Sequence, residues 1–135
     1  YPYSLFEIFL LIQQDPKIKG IRATTIRSIR KYIYLIDKKF RNDVINKSLF
    51  IEILKQPNLV GHKLRLMHKY GILGAYMPAF SKIEGLMQFD LYHIFTVDEH
   101  ILRVIRNLRL FGLDEYKMKY PICYELVKTI ANNGI

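Results

Sequence analysis

The sequence predicts an all-α protein. No segment of useful length alternates apolar and polar residues with period two, and β-type signals are confined to short aromatic patches. Apolar residues recur instead at helical spacing, as in Ile26, Ile29, Ile33 and Ile36, and again in Val97, Ile101, Val104 and Leu108. Helix punctuation falls between these runs, with Pro16, Gly71 and Pro121 at expected boundaries. About seven helical pieces follow from this reading, with no internal repeat and no low-complexity tract.

The first piece, Leu5 to Ile12, is apolar nearly all round, so it is expected to be largely buried, with Ser4 as its N-cap and an end near Asp15-Pro16. Gly20 marks a loop. Thr24 or Thr25 then caps a second helix with Ile26, Ile29, Ile33 and Ile36 on one face. Arg27, Lys31 and Lys38 lie opposite that face and Arg30 on its flank, which makes a solvated basic face or a phosphate-tracking surface. A third helix is expected from about Asn42 to Lys55, with Val44, Ile45, Leu49, Ile51, Ile53 and Leu54 inward and Gln56-Pro57 as its stop.

Asn58 caps the next helix, whose Leu59, Leu64, Leu66 and Met67 point inward until Gly71 ends it as a C-cap glycine. His62 and His68, six apart, cannot share a face as an i, i+4 ligand pair would, and read as surface or helix-end residues. Ile72 to Pro78 is a short helical turn whose Gly74 and Ala75 allow close approach of another helix, and Ala79 to Gln88 is a connection. After a helix from Thr96, Gly112 and the polar turn Asp114 to Lys119 lead to a last helix. Pro121 opens it in the favoured first-turn position, and it carries Ile122, Leu126, Val127 and Ile130.

At 135 residues, half of them hydrophobic, the chain has material for one sizeable core. No apolar run is long enough to span a bilayer, so no membrane partner is expected. Cys123 stands alone, which excludes an internal disulfide framework and a cysteine-built zinc site and suits a reducing cytoplasm. The net charge of +9 is uneven: residues 1–70 hold fourteen Lys and Arg against five Asp and Glu, while residues 71–135 hold seven of each. Tyr1-Pro2 is neither a signal peptide nor an initiator, and the last residues follow a turn signal, so the chain is expected to be part of something longer.

Residues 89–100 are denser in chemistry than a helical domain requires. They hold two histidines, two aspartates, a glutamate and three aromatics. Thr96 followed by Glu99 has the pattern of a capping box, which starts a helix at Thr96. On its wheel Val97, Ile101, Val104, Ile105, Leu108 and Phe111 form an apolar stripe, with His100 at its edge beside Val104 and Phe111. Spacing leaves two readings of His100 open, a half-buried structural histidine or a metal-binding or catalytic one. Asp98 and Glu99 suit the positive end of the helix dipole and are read as structural.

Complete catalytic constellations are missing. There is no glycine-rich phosphate loop with a lysine, no Asp-x-Asp pair, no His-Glu-x-x-His and no Gly-x-Ser-x-Gly. A single histidine cannot hold a catalytic metal.

Three motifs carry a resemblance: Gly20-Ile-Arg-Ala-Thr-Thr25, Tyr70-Gly-Ile-Leu-Gly-Ala-Tyr-Met-Pro78 and Met87-Gln-Phe-Asp-Leu-Tyr-His-Ile-Phe-Thr-Val-Asp-Glu-His100. The chain from about Leu5 to Asn107 resembles the middle of the bacterial bifunctional uridylyltransferase and uridylyl-removing enzymes that act on the nitrogen-regulatory protein PII; beyond Asn107 the likeness is looser. The resemblance implies a helical segment following a nucleotidyltransferase core (1–90) and the first helices of an HD-type metal-dependent phosphohydrolase domain (91–135). His100 would match the family's first metal-binding histidine, and His93 either lines the same cleft or packs the turn before Thr96. No histidine here is followed by aspartate, so the family's His-Asp pair is absent.

The family's partners are PII, UTP and glutamine, and its cofactor is a divalent metal, Mg or Mn. Neither bound metal nor nucleic-acid partner is expected for this piece, which is expected to be inactive alone and to form homo-oligomers through surface left bare. The alternatives are a basic helical binding module built on Arg27, Arg30, Lys31 and Lys38, for nucleic acid or an acidic protein surface, and an HD phosphohydrolase with another nucleotide substrate.

Overall fold

The computed structural model describes residues 1–15, 17, 18, 20–56, 60–87 and 94–132. These residues form nine α-helices and two 3-10 turns; the absence of strands among them is as the periodicity predicts, while the helices exceed the expected seven because 38–42 and 78–81 are short helices of their own. In order they are α1 (Ser4–Gln14), α2 (Ala23–Tyr32), a 3-10 turn (Ile33–Leu35), α3 (Lys38–Asn42), α4 (Val44–Lys55), α5 (Val60–Lys69), α6 (Ile72–Tyr76), α7 (Pro78–Ser81), α8 (Val97–Phe111), a 3-10 turn (Asp114–Tyr116) and α9 (Pro121–Asn132).

The core is built round α1, whose Leu5, Phe6, Phe9 and Ile12 fall on one face and are buried. Phe6 collects aromatic rings from three other elements, with centroids 5.3 Å from Phe40, 4.8 Å from Tyr76 and 5.8 Å from Phe50. Edge-on geometry to Phe40 and Tyr76 sets the positive ring edge against the negative face. Ile29, Ile53, Met67 and Ile72 complete this interior, and Leu102 of α8 belongs to the same cluster. Arg41 ties the layers by donating from Nη1 to the carbonyls of Ile36 and Ala75, each at 3.1 Å.

Several local expectations are corrected. Ser4 is the first residue of α1 rather than its cap, and Thr24 and Thr25 lie inside α2, whose N-cap is Arg22. α2 ends at Tyr32, so Ile36 reaches the core from beyond the 3-10 turn. The helix expected over 42–55 breaks at Asp43, whose carboxylate accepts from the N–H groups of Ile45 at 2.8 Å and Asn46 at 3.4 Å. That cap sets the rotation of α4, so Val44, Ile45 and Ile51 face outward. Asn46 takes the inward position, donating from Nδ2 to the Phe40 carbonyl at 3.1 Å. The expected Gln56-Pro57 stop, Asn58 cap and Leu59 contact fall wholly or partly outside the described residues.

Gly71 ends α5 as expected. Its φ of 82° is left-handed, where a Cβ is costly, and a Cβ there would also meet Ile33 Cδ1 at 2.9 Å. No helix among the described residues is long and apolar enough to cross a membrane.

Candidate functional site

The first turn of α8 is fastened at four points to α5 and to the turn that follows α7. The Val97 N–H donates to the Leu86 carbonyl at 2.9 Å. Asp98 Oδ1 accepts from the Gly85 N–H at 3.2 Å, and Asp98 Oδ2 lies 2.9 Å from Nε2 of His68 on α5. One residue on, Glu99 Oε2 accepts from Arg65 Nη2 at 3.4 Å. α8 therefore starts at Val97 with Thr96 in extended cap conformation, but the Thr96 side chain caps no backbone N–H. Its hydroxyl bonds the Asp98 carboxylate instead, and Glu99 turns to Arg65, so the expected capping box does not form.

Asp98 is 4% exposed, and its acidity reflects two opposed effects. Burial works to raise the carboxyl's pKa, while hydrogen bonds from the Thr96 hydroxyl and the Gly85, Glu99 and Asp98 N–H groups outweigh it and hold the group below the ordinary carboxylate range. His68 is a helix-end residue, as one of the two expected readings has it, in the last turn of α5 and half-buried. Its ring meets Phe80 edge-on at 5.4 Å, and its Nδ1 faces Glu84 Oε1 at 3.5 Å. Glu84 reaches this position over Gly74, where a Cβ would collide with its carboxylate. The small residue thus admits a side chain, where a neighbouring helix was expected.

His100 lies about 200° round the helix from Asp98 and is exposed. The buried side of α8 consists of Asp98 and Leu102, flanked by Ile101 and Ile105 packed on the core. That face is rotated by roughly 80° about the helix axis from the apolar stripe expected from the sequence. With Asp98 fastened and Leu102 buried on one side, Val104 and Leu108 are left 43% and 52% exposed on the side of His100. Ile122, Leu126 and Ile130 of α9 are exposed as well.

Among the described residues no three His, Cys, Asp or Glu side chains form a group able to hold a metal ion. His100 belongs to no such group among the described residues. His93 lies outside the described residues.

Elsewhere, a groove of about 510 Å³ runs between the start of α5 and the helices α8 and α9, lined in part by Gly61, His62, Arg106, Arg109 and Lys128. Its cations are partly engaged: Arg109 donates to the Gln56 carbonyl at 2.6 Å, and Lys128 lies 3.7 Å from Asp114. Partial burial, with Lys63 and Arg65 nearby, holds the His62 imidazole below its ordinary pKa. Arg27, Arg30, Lys31 and Lys38 are exposed on α2 and α3 and line no part of this groove. The cluster of His68, Glu84 and Asp98 has no sequence signature, since its members come from three separate stretches.

A family model described as the third domain of the uridylyltransferase GlnD matches residues 1–76. The chain is 51% identical over 129 residues to a protein of Methylococcus capsulatus named bifunctional uridylyltransferase/uridylyl-removing enzyme, covering 96% of this chain and 15% of that one. A protein of the same name from Nitrosococcus oceani is 52% identical over 130 residues, with the same coverage. Another from Pseudomonas aeruginosa is 48% identical over 126 residues, covering 93% of this chain and 14% of the relative. The chain thus spans about 15% of the length of the curated relatives it matches. No solved structure matches it.

Proposed function

The chain belongs to the GlnD uridylyltransferase family, and from that premise we propose that it is part of a bifunctional enzyme of nitrogen regulation. The enzyme transfers UMP from UTP to PII, hydrolyses the UMP-tyrosine bond again, and responds to glutamine in the cytoplasm. The observation that carries this reading is identity of about one residue in two with relatives of that name across nearly the whole chain.

Residues 1 to about 90 are the helical segment between the two activities, and residues from about 91 on open the HD phosphohydrolase domain. In this reading His100 is one ligand of the hydrolytic metal, with His93 near the same cleft. An imidazole on the outward face of a turn fixed at its other side can serve as one nitrogen ligand of a divalent metal; the Mg or Mn of this reading would take its oxygen donors from beyond these residues. His100 would hold such a metal through its imidazole, and the metal would supply polarisation of the phosphodiester and a bound water of lowered pKa. The chain's own part is to hold the imidazole donor at a fixed place beside Val104 and Leu108, whose exposed apolar side chains the following HD helices cover. By itself the piece is inactive, and its bare apolar surface favours self-association.

The test is His100→Ala in the full-length enzyme. De-uridylylation of PII is expected to vanish while uridylylation continues; full retention of de-uridylylation overturns the assignment.

A further inference from the structure

We propose that His68 and Asp98 are positioning residues for the hydrolase, locking the first turn of α8 to the helical segment so that His100 is held where its metal is bound. The proposal rests on the reading of His100 given above, and its evidence is geometric. Asp98 and His100 occupy the same turn on nearly opposite sides of α8, so whatever fixes one fixes the azimuth of the other. Asp98 is fixed by His68 Nε2 at 2.9 Å and by the Gly85 N–H at 3.2 Å, and it is almost wholly buried.

Apolar and polar contacts agree on this azimuth: Leu102, with Ile101 and Ile105 beside it, packs on the core, and Asp98 is fastened on the same side. Within the first turn it is Asp98 that makes the buried contact, so the polar contacts fix the turn that carries His100. His68 is itself held from behind by the Phe80 ring edge and lies on α5, whose Leu64 and Met67 are in the core. The helical segment is in this sense a working part of the hydrolase rather than a spacer between two domains.

Full-length enzyme carrying His68→Ala, His68→Gln, Asp98→Ala or His100→Ala separates the possibilities. Manganese binding is read by calorimetric titration as the component that His100→Ala removes, and uridylylation of PII reports that each variant is folded. His68→Ala and Asp98→Ala are expected to weaken that component about tenfold, the low end for residues that orient a metal ligand. De-uridylylation falls at limiting manganese and recovers at saturating manganese, with KM for modified PII unchanged. His68→Gln, which keeps a donor near the Nε2 position, retains most of the affinity.

Wild-type manganese affinity in His68→Ala and Asp98→Ala, with His100→Ala defective, overturns the positioning role alone. A His100→Ala enzyme that binds manganese and hydrolyses normally removes the reading beneath it. Should His68→Ala lose uridylylation too, His68→Gln and Asp98→Asn decide: equal loss of manganese affinity in the two, despite the donor that glutamine retains, overturns the proposal.

Discussion

Nε2 of His68, near the end of α5, lies 2.9 Å from Oδ2 of Asp98, in the first turn of α8. The two residues are thirty apart in sequence, and the contact joins the basic half of the chain to the half with balanced charge. Because the Asp98 side chain is 6% exposed and that of His68 20%, solvent screens the pair little. A double-mutant cycle with His68→Ala and Asp98→Ala, followed by urea denaturation, is expected to give a coupling free energy of about 1–2 kcal/mol. Additive losses would mean that the two side chains stabilise the fold independently.

Gly71→Ala is expected to destabilise the fold by about 1–2 kcal/mol through its left-handed backbone, with a further loss from contact with Ile33. Gly74→Ala provides the contrast. Its Cβ would meet only the far end of the flexible Glu84 side chain, so Glu84 swings away from His68 at a cost under about 1 kcal/mol. Thermal unfolding of the two variants checks the ordering, which reverses if close approach rather than backbone conformation governs these glycines.

What could be read from the sequence followed from how far each signal reaches along the chain. Periodicity and glycine or proline punctuation are local, so the all-α class, the C-cap at Gly71 and the first-turn place of Pro121 emerge directly. Which face of a helix is buried depends on partners distant in sequence. Asp43 takes the cap and turns Val44 and Ile45 outward, and His68 fastens Asp98 on the buried side of α8, the side of Leu102. His100 was legible as a candidate because helical spacing placed it at a stripe's edge, but its exposure follows from the rotation of α8, which no local pattern encodes.

Phe6 is fully buried, and three aromatic rings from α3, α4 and α6 converge on it. Phe6→Ala removes the common member of all three contacts, and helices that already meet through one another's side chains cannot collapse fully into the space. The expected loss is about 3–5 kcal/mol, measured by denaturant midpoint at unchanged slope. Phe6→Leu, which keeps most of the volume, is expected to lose less than half as much.

Lys63 occupies a core position on α5, in line with Val60, Leu64 and Met67, and is 4% exposed. No carboxylate among the described residues pairs with it, and burial lowers its pKa from the ordinary lysine value of 10.5. The folded state therefore holds the proton less tightly than the unfolded chain does. Between the lowered folded pKa and 10.5 the unfolded state binds more protons, so this residue makes stability rise with pH across that window. Below the window both states are protonated and the full burial penalty applies. Lys63→Met keeps the length of the side chain without the charge, and it is expected to stabilise the fold at neutral pH by on the order of 1 kcal/mol. The gain should shrink as pH rises through the lowered folded pKa, because the folded lysine then loses its proton ahead of the unfolded chain. Chemical denaturation of both proteins from pH 7 to pH 10 measures the difference. A gain that does not vary with pH would mean that the lysine costs stability through packing rather than through its charge.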